Sequence, residues 1–335
     1  MPTTPQPSGV PAEEIFAVDD AGRPCYRGRP VTDLVGVPFE QVWGLLVDGA
    51  GEPGLPPAEP FHLPARTGDT RVDVLSALAQ LTPAWSFRPL SEISAGQARD
   101  NLARASALAL SFVAQSARGQ DVPAVPQREV DLATTITERF LVRWRGEADP
   151  VAVAALDTYW LAMAENGLTP STRTARLAAS AGADAASCLA AAVAVGGAPF
   201  LGGAVARGLA LVEDAASTGD AAAVVRRHLA AHRTLPGFGD ELVPTDVRLR
   251  MLREACERLD ARHLEAATAV AAAGQDALAE AGHAVADTRP NSMFWGAVLL
   301  DHIGVGAPLL SAMYLCGRTA GWSAHVLQVQ ASLDD

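Results

Sequence analysis

Residues 177–201 read LAASAGADAASCLAAAVAVGGAPFL, the most apolar stretch of the chain. Whether it crosses a membrane or lies in a protein core decides the class of fold. The run is built mostly from alanine and glycine, and Gly182, Gly196 and Gly197 interrupt it. Alanine supplies too little transfer free energy to hold such a segment in lipid, and Asp184 adds a charge, so the run reads as a buried helix. Side chains this small all round a helix let neighbouring helices approach closely, as a core helix or a helix at a subunit interface requires.

Outward from this run the pattern stays helical. In 150–166 the apolar residues Val153, Leu156, Trp160 and Met163 recur at spacings of three and four, the period of one helix face. Gly167 is a stop signal, and Thr169 followed by Pro170 is an N-cap with proline at the first helical position. In 246–263 the stripe is Leu249, Leu252, Cys256 and Leu259, and Glu254 with Arg258 forms an i,i+4 pair on the wet face. Leu102–Ala117, Leu264–Ala286, Phe294–His302 and Leu309–Leu327 also read as helices. Proline- and glycine-rich breaks fall at 50–60, 120–127, 196–203, 235–245 and 287–291. Strand signals are confined to Ile15–Val18 and Cys25–Arg27, so the expectation is all-α with one small hairpin near the start. Residues 1–12 are rich in proline and threonine and read as a disordered tail.

Composition removes several function classes. The 335 residues carry 26 basic and 38 acidic side chains, a formal net charge of −12. An acidic chain without a basic run is a poor nucleic-acid binder. Every basic residue is arginine; the sequence contains no lysine. That excludes a Schiff base, a lysine general base and a Gly-Lys-Ser/Thr phosphate loop. The four cysteines, Cys25, Cys188, Cys256 and Cys316, are scattered and read as free, buried thiols of a reducing cytoplasm. His228 and His232 stand at i,i+4, but Arg226, Arg227 and Arg233 flank them. A cation site is not expected there, nor any other metal site. His302 and His325, on helical segments, read as hydrogen-bonded core residues, and Trp295 as a core residue.

A series of short motifs, in order along the chain, resembles the citrate synthase family. Cys25-Tyr26-Arg27-Gly28, Val31-Thr32-Asp33-Leu34 and Phe39-Glu40-Gln41-Val42-Trp43 resemble the opening of bacterial members. Asp73-Val74-Leu75 lies where the family has His-Pro-Met-Asp-Val-Leu. Pro170-Ser171-Thr172 through Asp184 looks like the helix after its oxaloacetate-binding turn. Gly202-Gly203-Ala204 resembles its Leu-His-Gly-Gly-Ala loop, and Pro236-Gly237-Phe238-Gly239 its Gly-Phe-Gly-His loop. Arg289-Pro290-Asn291 resembles Arg-Pro-Asn-x-Asp-Phe, and Arg318-Thr319-Ala320-Gly321-Trp322-Ser323-Ala324-His325 resembles Ala-Arg-Thr-x-Gly-Trp-x-Ala-His. The matches run from about Ile15 to His325.

The resemblance implies an all-α, citrate synthase-like two-domain helical fold that works as a dimer. A large domain of 13–201 plus 298–335 would carry the dimer contacts, and a small domain of 202–297 would close over the cleft. A cytoplasmic protein with no membrane contact is expected from the scattered cysteines and from the alanine-rich character of the apolar run. Active relatives are acyltransferases that convert the acyl group to alkyl on transfer, condensing an acyl-CoA enol with a 2-oxo acid. That chemistry needs a carboxylate base, a histidine that hydrogen-bonds the enolate oxygen, a second histidine at the oxo acid, and arginines for the acid's carboxylates.

The departures fall on that chemistry. Leu201 stands where the family has the histidine before Gly-Gly-Ala, Asp240 where it has the histidine after Gly-Phe-Gly, and Met293 where it has the aspartate base. The His-Ala-Asp-His turn reads Met163-Ala164-Glu165-Asn166, and the arginine that follows Gly-Phe-Gly-His has no clear equivalent, with Val243 and Pro244 in that stretch. Losing one oxyanion donor costs about two to three orders of magnitude in rate, so ordinary citrate formation is the least favoured activity. What the resemblance retains is the turn Leu235, Pro236, Gly237, Phe238 and Gly239, whose backbone meets coenzyme A in the family, with Asn166 and Arg318 as candidate substrate contacts.

Two function classes follow. The first is a pseudoenzyme: an acyl-CoA-binding or interaction subunit, homodimeric or heterodimeric with an active citrate synthase paralogue. Coenzyme A or acyl-CoA would then be a ligand and not a permanent cofactor. The second is a repurposed acyl-CoA or 2-oxo acid enzyme, of acyltransferase or lyase type, using Asp240, Glu241 and Arg318. Adjacent carboxylates can divide acid and base roles when burial raises one pKa; a solvated loop is the plainer reading of Asp240 and Glu241.

Overall fold

The computed structural model describes residues 14–232, 234–239 and 247–333. The expected tail at 1–12 lies outside them, as do Asp240 and Glu241. Near the start, Phe16–Val18 (β1), Pro24–Tyr26 (β2) and Arg29–Pro30 (β3) form a small antiparallel sheet in sequence order, with Phe16 opposite Tyr26 and Cys25 opposite Pro30. Both expected strands are present, with one short strand more. Everything else regular among the described residues is helical.

The first eight helices are Phe39–Asp48 (α1), Thr70–Trp85 (α2), Ala95–Arg118 (α3), Gln127–Val130 (α4), Ile136–Arg145 (α5), Pro150–Met163 (α6), Pro170–Ser180 (α7) and Ala185–Gly196 (α8). Gly202–Thr218 (α9), Ala221–Ala231 (α10), Val247–Arg258 (α11), Leu264–Glu280 (α12), Ser292–His302 (α13) and Ala307–Ala331 (α14) follow. Their starts are set by side chains that accept otherwise unpaired backbone N–H groups. Asp69 caps α2, Asp149 caps α6 and Asn291 caps α13, while Ser94 with Gln97 and Thr135 with Glu138 make reciprocal capping boxes on α3 and α5.

The segment 177–201 departs from the single buried helix expected of it. Asp184 accepts hydrogen bonds from the backbone N–H groups of Ala186 and Ser187 and starts a new helix, so α7 and α8 meet at a break around Gly182. The small side chains serve their expected purpose, since α7 and α8 pack on each other and α8 also packs on α2, α3 and α14. Among the described residues no single helix is long and apolar enough to cross a membrane. On the wet face of α11 the ion pair is Arg253 with Glu257, 2.9 Å, and not Glu254 with Arg258.

The core is organised around α14. Every residue from Ala312 to Val326 is buried, as befits a helix surrounded by others. It contacts α1, α3, α6, α7, α8 and α9. Arg318, Thr319, Ser323 and His325 are therefore polar groups inside the protein, and each needs a partner there. Toward the other end of the chain, α9 packs on α10, α12 and α13, and α13 packs on α11 and α6. All four cysteines are free and buried, and Trp295 is a core residue, as expected.

Candidate functional site

The turn that leaves α6 is pressed onto the middle of α14. Gly317 and Gly321, one helical turn apart, make this possible. A Cβ at Gly317 would meet Trp160 O at 3.2 Å, and one at Gly321 would lie 2.0 Å from Glu165 Oε2. The Gly321 N–H donates to Ala164 O (3.0 Å). This contact carries Glu165 into the protein interior, where it has no solvent exposure.

The buried Glu165 is surrounded by donors. Its Oε2 lies 3.5 Å from Arg318 Nη2, and its Oε1 lies 3.4 Å from His325 Nε2. Arg318 Nη2 also donates to Thr172 Oγ1 at 2.7 Å. Burial pushes the Glu165 carboxyl up, but the Arg318 guanidinium and the His325 contact more than offset it and hold the group below its usual value. Behind the side chain, Glu165 O accepts from Arg248 Nη1 (2.7 Å) and from the Tyr26 hydroxyl (3.2 Å). Arg248 Nη2 donates to Asn166 Oδ1 at 2.7 Å. Burial raises the Tyr26 phenol and keeps it in its neutral, donating form.

Both candidate substrate contacts thus belong to one cluster. Asn166 and Arg318 are joined through Glu165 and Arg248, so each has a protein partner already in place. Leu201 adjoins Gly202, which packs on Tyr314 of α14. It is the N-cap residue of α9, is half-buried, and offers the helix no side-chain hydrogen bond. At its neighbour Gly202, a Cβ would be 3.0 Å from Tyr314 Cδ1, and Tyr314 shares its surroundings with Arg318, Glu165 and Arg248.

The turn at 235–239 is a second point, joined to the start of α13. Gly239 N donates to Arg289 O (2.9 Å), Asn291 N donates to Gly237 O (2.7 Å), and Asn291 Nδ2 donates to Gly239 O (3.1 Å). Phe238 and Pro290 form a β-bridge. Gly237 and Gly239 have φ of 80° and 68°, the region that glycine enters without strain. The Phe238 ring is seated against Gly274 of α12, where a Cβ would come within 2.5 Å of it, and lies 5.6 Å from the Phe294 ring. Leu235 is buried and Pro236 half-buried. Met293 sits between these contacts. Asn291 Oδ1 accepts its N–H at 3.1 Å while capping α13, and the adjoining Phe294 packs on Gly237. The Met293 side chain is half-buried and apolar.

Sequence reasoning gave no role to Glu165, Arg176 or Arg248; His325 is the hydrogen-bonded core residue expected of it, buried with polar partners on both ring nitrogens. Arg248 had a visible signal: it precedes Met251 and Leu252 by three and four residues and so lies on the buried stripe of α11. Glu165 and His325 become partners only through the packing of α14 on the α6–α7 turn, which no local pattern announces. His228 and His232 stack with ring centroids 4.7 Å apart, and no group of three or more potential metal ligands occurs among the described residues.

Residues 8–333 match the family model described as citrate synthase, C-terminal domain. A protein of Mycobacterium tuberculosis named "Putative citrate synthase 2" is 48% identical over 318 residues, covering 92% of this chain and 83% of that protein. The citrate synthase of Acidithiobacillus ferridurans is 27% identical over 344 residues, covering 91% and 85%. Among solved structures, the ternary complex of carboxymethyl coenzyme A and oxaloacetate with the citrate synthase of Thermoplasma acidophilum superposes with a TM-score of 0.77 at 20% identity, covering 94% and 88%. The Thermotoga maritima citrate synthase follows at 0.70 and 20%, covering 93% and 87%. The resemblance read from scattered motifs is thereby confirmed over nearly the whole length, and the chain belongs to the citrate synthase family.

Proposed function

We propose that this chain binds acyl-CoA in a citrate synthase-like cleft and does not make citrate. In this reading it acts as a subunit, paired with a second copy or with an active paralogue, and 202–297 closes over the rest. One feature of the sequence carries the proposal: Leu201 and Met293, matched by motif to the family's enolate-stabilising histidine and base, are apolar and have no proton to give or take. Condensation requires a base for the α-proton and a donor for the enolate oxygen. Removing both leaves binding as the capability of the cleft.

Two features support binding. The 235–239 turn is held in a defined conformation by 289–291, and its role in coenzyme A contact depends on backbone, which side-chain change leaves alone. A solved relative of the same fold is a complex with a coenzyme A analogue and oxaloacetate.

The test is release of the coenzyme A thiol from acetyl-CoA with oxaloacetate, read with a chromogenic disulfide. The four cysteines are buried, and burial pushes the Cys188 and Cys256 thiols up to about 12, so they contribute little background. The expected result is no release above the protein-free control. Release at turnover rates would overturn the proposal.

A further inference from the structure

His325 is the only histidine of the seven with no solvent exposure, and its two ring nitrogens face opposite chemistry. Nδ1 lies 3.1 Å from Arg176 Nη1, and Nε2 lies 3.4 Å from Glu165 Oε1. An arginine guanidinium has only donors. Nδ1 must therefore present its lone pair, since a proton there would point at another proton. Glu165, held ionised by Arg318, only accepts, so Nε2 must carry the hydrogen. The charged and polar groups around the pair fit this assignment. Arg318 and Thr172 stand on the far side of Glu165, Arg248 and Tyr26 hold its backbone carbonyl, and Gln328 Oε1 accepts from Arg176 Nη1 at 2.6 Å.

We infer that His325 is a neutral imidazole protonated on Nε2, fixed in that tautomer by Arg176, and that Arg176 is a positioning residue acting through His325 on the Glu165–Arg318 pair. Arg176 projects from α7 and is half-buried, so it joins the protein surface to the buried carboxylate. With Arg176 on Nδ1, the ring hydrogen sits on Nε2 and points at Glu165. This is the role of an outer partner that selects the tautomer of an inner histidine. It goes beyond the proposed function and does not depend on whether the cleft takes acyl-CoA.

The test is a long-range 1H–15N correlation spectrum of protein labelled at histidine, at neutral pH, with the His325 signals assigned by their absence in His325→Gln. The wild type is expected to show the neutral Nε2–H pattern. Arg176→Lys, which keeps a donor, is expected to preserve it. Arg176→Met, which keeps the stem and loses every donor, is expected to shift the ring toward Nδ1–H or the imidazolium. An imidazolium or an Nδ1–H ring in the wild type overturns the inference outright, even if Arg176→Met does not fold. An unchanged ring in a folded Arg176→Met variant, checked by circular dichroism, overturns the role given to Arg176.

Discussion

Gly321 and Glu165 are in direct contact: a single methyl group on Gly321 would stand 2.0 Å from Glu165 Oε2. A glycine in the middle of a 25-residue helix is unfavourable on helix propensity alone. Here it creates the space in which a buried carboxylate meets Arg318 and His325. Gly321→Ala is therefore expected to destabilise the chain by about 3 kcal/mol, through overpacking and displacement of a buried charge. Chemical denaturation measures this. A stability equal to or above that of the wild type would mean that the turn can move away from α14 freely.

The Glu165 carboxyl is held below its ordinary value of 4.5 in the folded protein. A depressed folded pKa stabilises the fold at pH above 4.5, and that contribution is lost as pH falls through the folded value. The wild type should therefore lose stability below about pH 4.5 partly through this group. Glu165→Gln should already be weaker at pH 7, by about 3–5 kcal/mol because Arg318 is left buried without its carboxylate. The difference between the two should narrow toward low pH. A difference independent of pH would place the effect in packing and not in the ion pair.

Asp157 of α6 behaves in the opposite sense. It accepts from the Phe39 N–H at 3.2 Å and the Thr137 hydroxyl at 2.5 Å, yet burial pushes its carboxyl up to about 6. A raised folded pKa on an acid means that ionisation costs stability above that value, and the cost is relieved as pH falls from about 6 toward the ordinary 3.8. Asp157→Asn keeps an oxygen for Phe39 N–H and removes the charge. At pH 7.5 it should match or exceed the wild type, by at most 1–3 kcal/mol on the order-of-magnitude scale of such shifts. The wild type should regain about half of that difference by pH 5 and the rest as the pH nears 3.8. Urea unfolding at the two pH values decides it, and a variant that is weaker at pH 7.5 by more than at pH 5 would refute the sign.

Restoring the family's side chains asks whether the remaining scaffold is still arranged for chemistry. Leu201→His, Asp240→His and Met293→Asp, combined with Asn166→His, return a donor, a base and the two further histidines. Thiol release from acetyl-CoA with oxaloacetate should rise by about two orders of magnitude over the wild-type background, the scale of one recovered oxyanion donor. A folded variant with no rise would show that the loss extends to the backbone geometry of the α9 and α13 starts.

Much of this structure is legible in the sequence, for identifiable reasons. The 3.6-residue spacing of Leu156, Trp160 and Met163 is local information, and α6 forms where it points. Asp184 was visible too, but treated as a charge inside one helix when it is the cap that divides two. The family motifs single out Asn166, Arg318, Leu201 and Met293 as candidates, and the structure brings Asn166 and Arg318 into one cluster. The site was not legible where a partner comes from a distant element. Glu165, Arg248 and His325 lie on three separate segments, and their relation depends on two glycines in α14 that let those segments touch. The one available clue, an arginine on the apolar stripe of α11, is a buried charge whose partners the sequence does not name.

The most direct test of the account is calorimetric titration of the full chain with acetyl-CoA, alone and with oxaloacetate present. The account predicts saturable heat with acetyl-CoA, abolished when Gly237→Val distorts the 235–239 turn in a chain that remains folded. No heat at millimolar acetyl-CoA, with or without oxaloacetate, would contradict it.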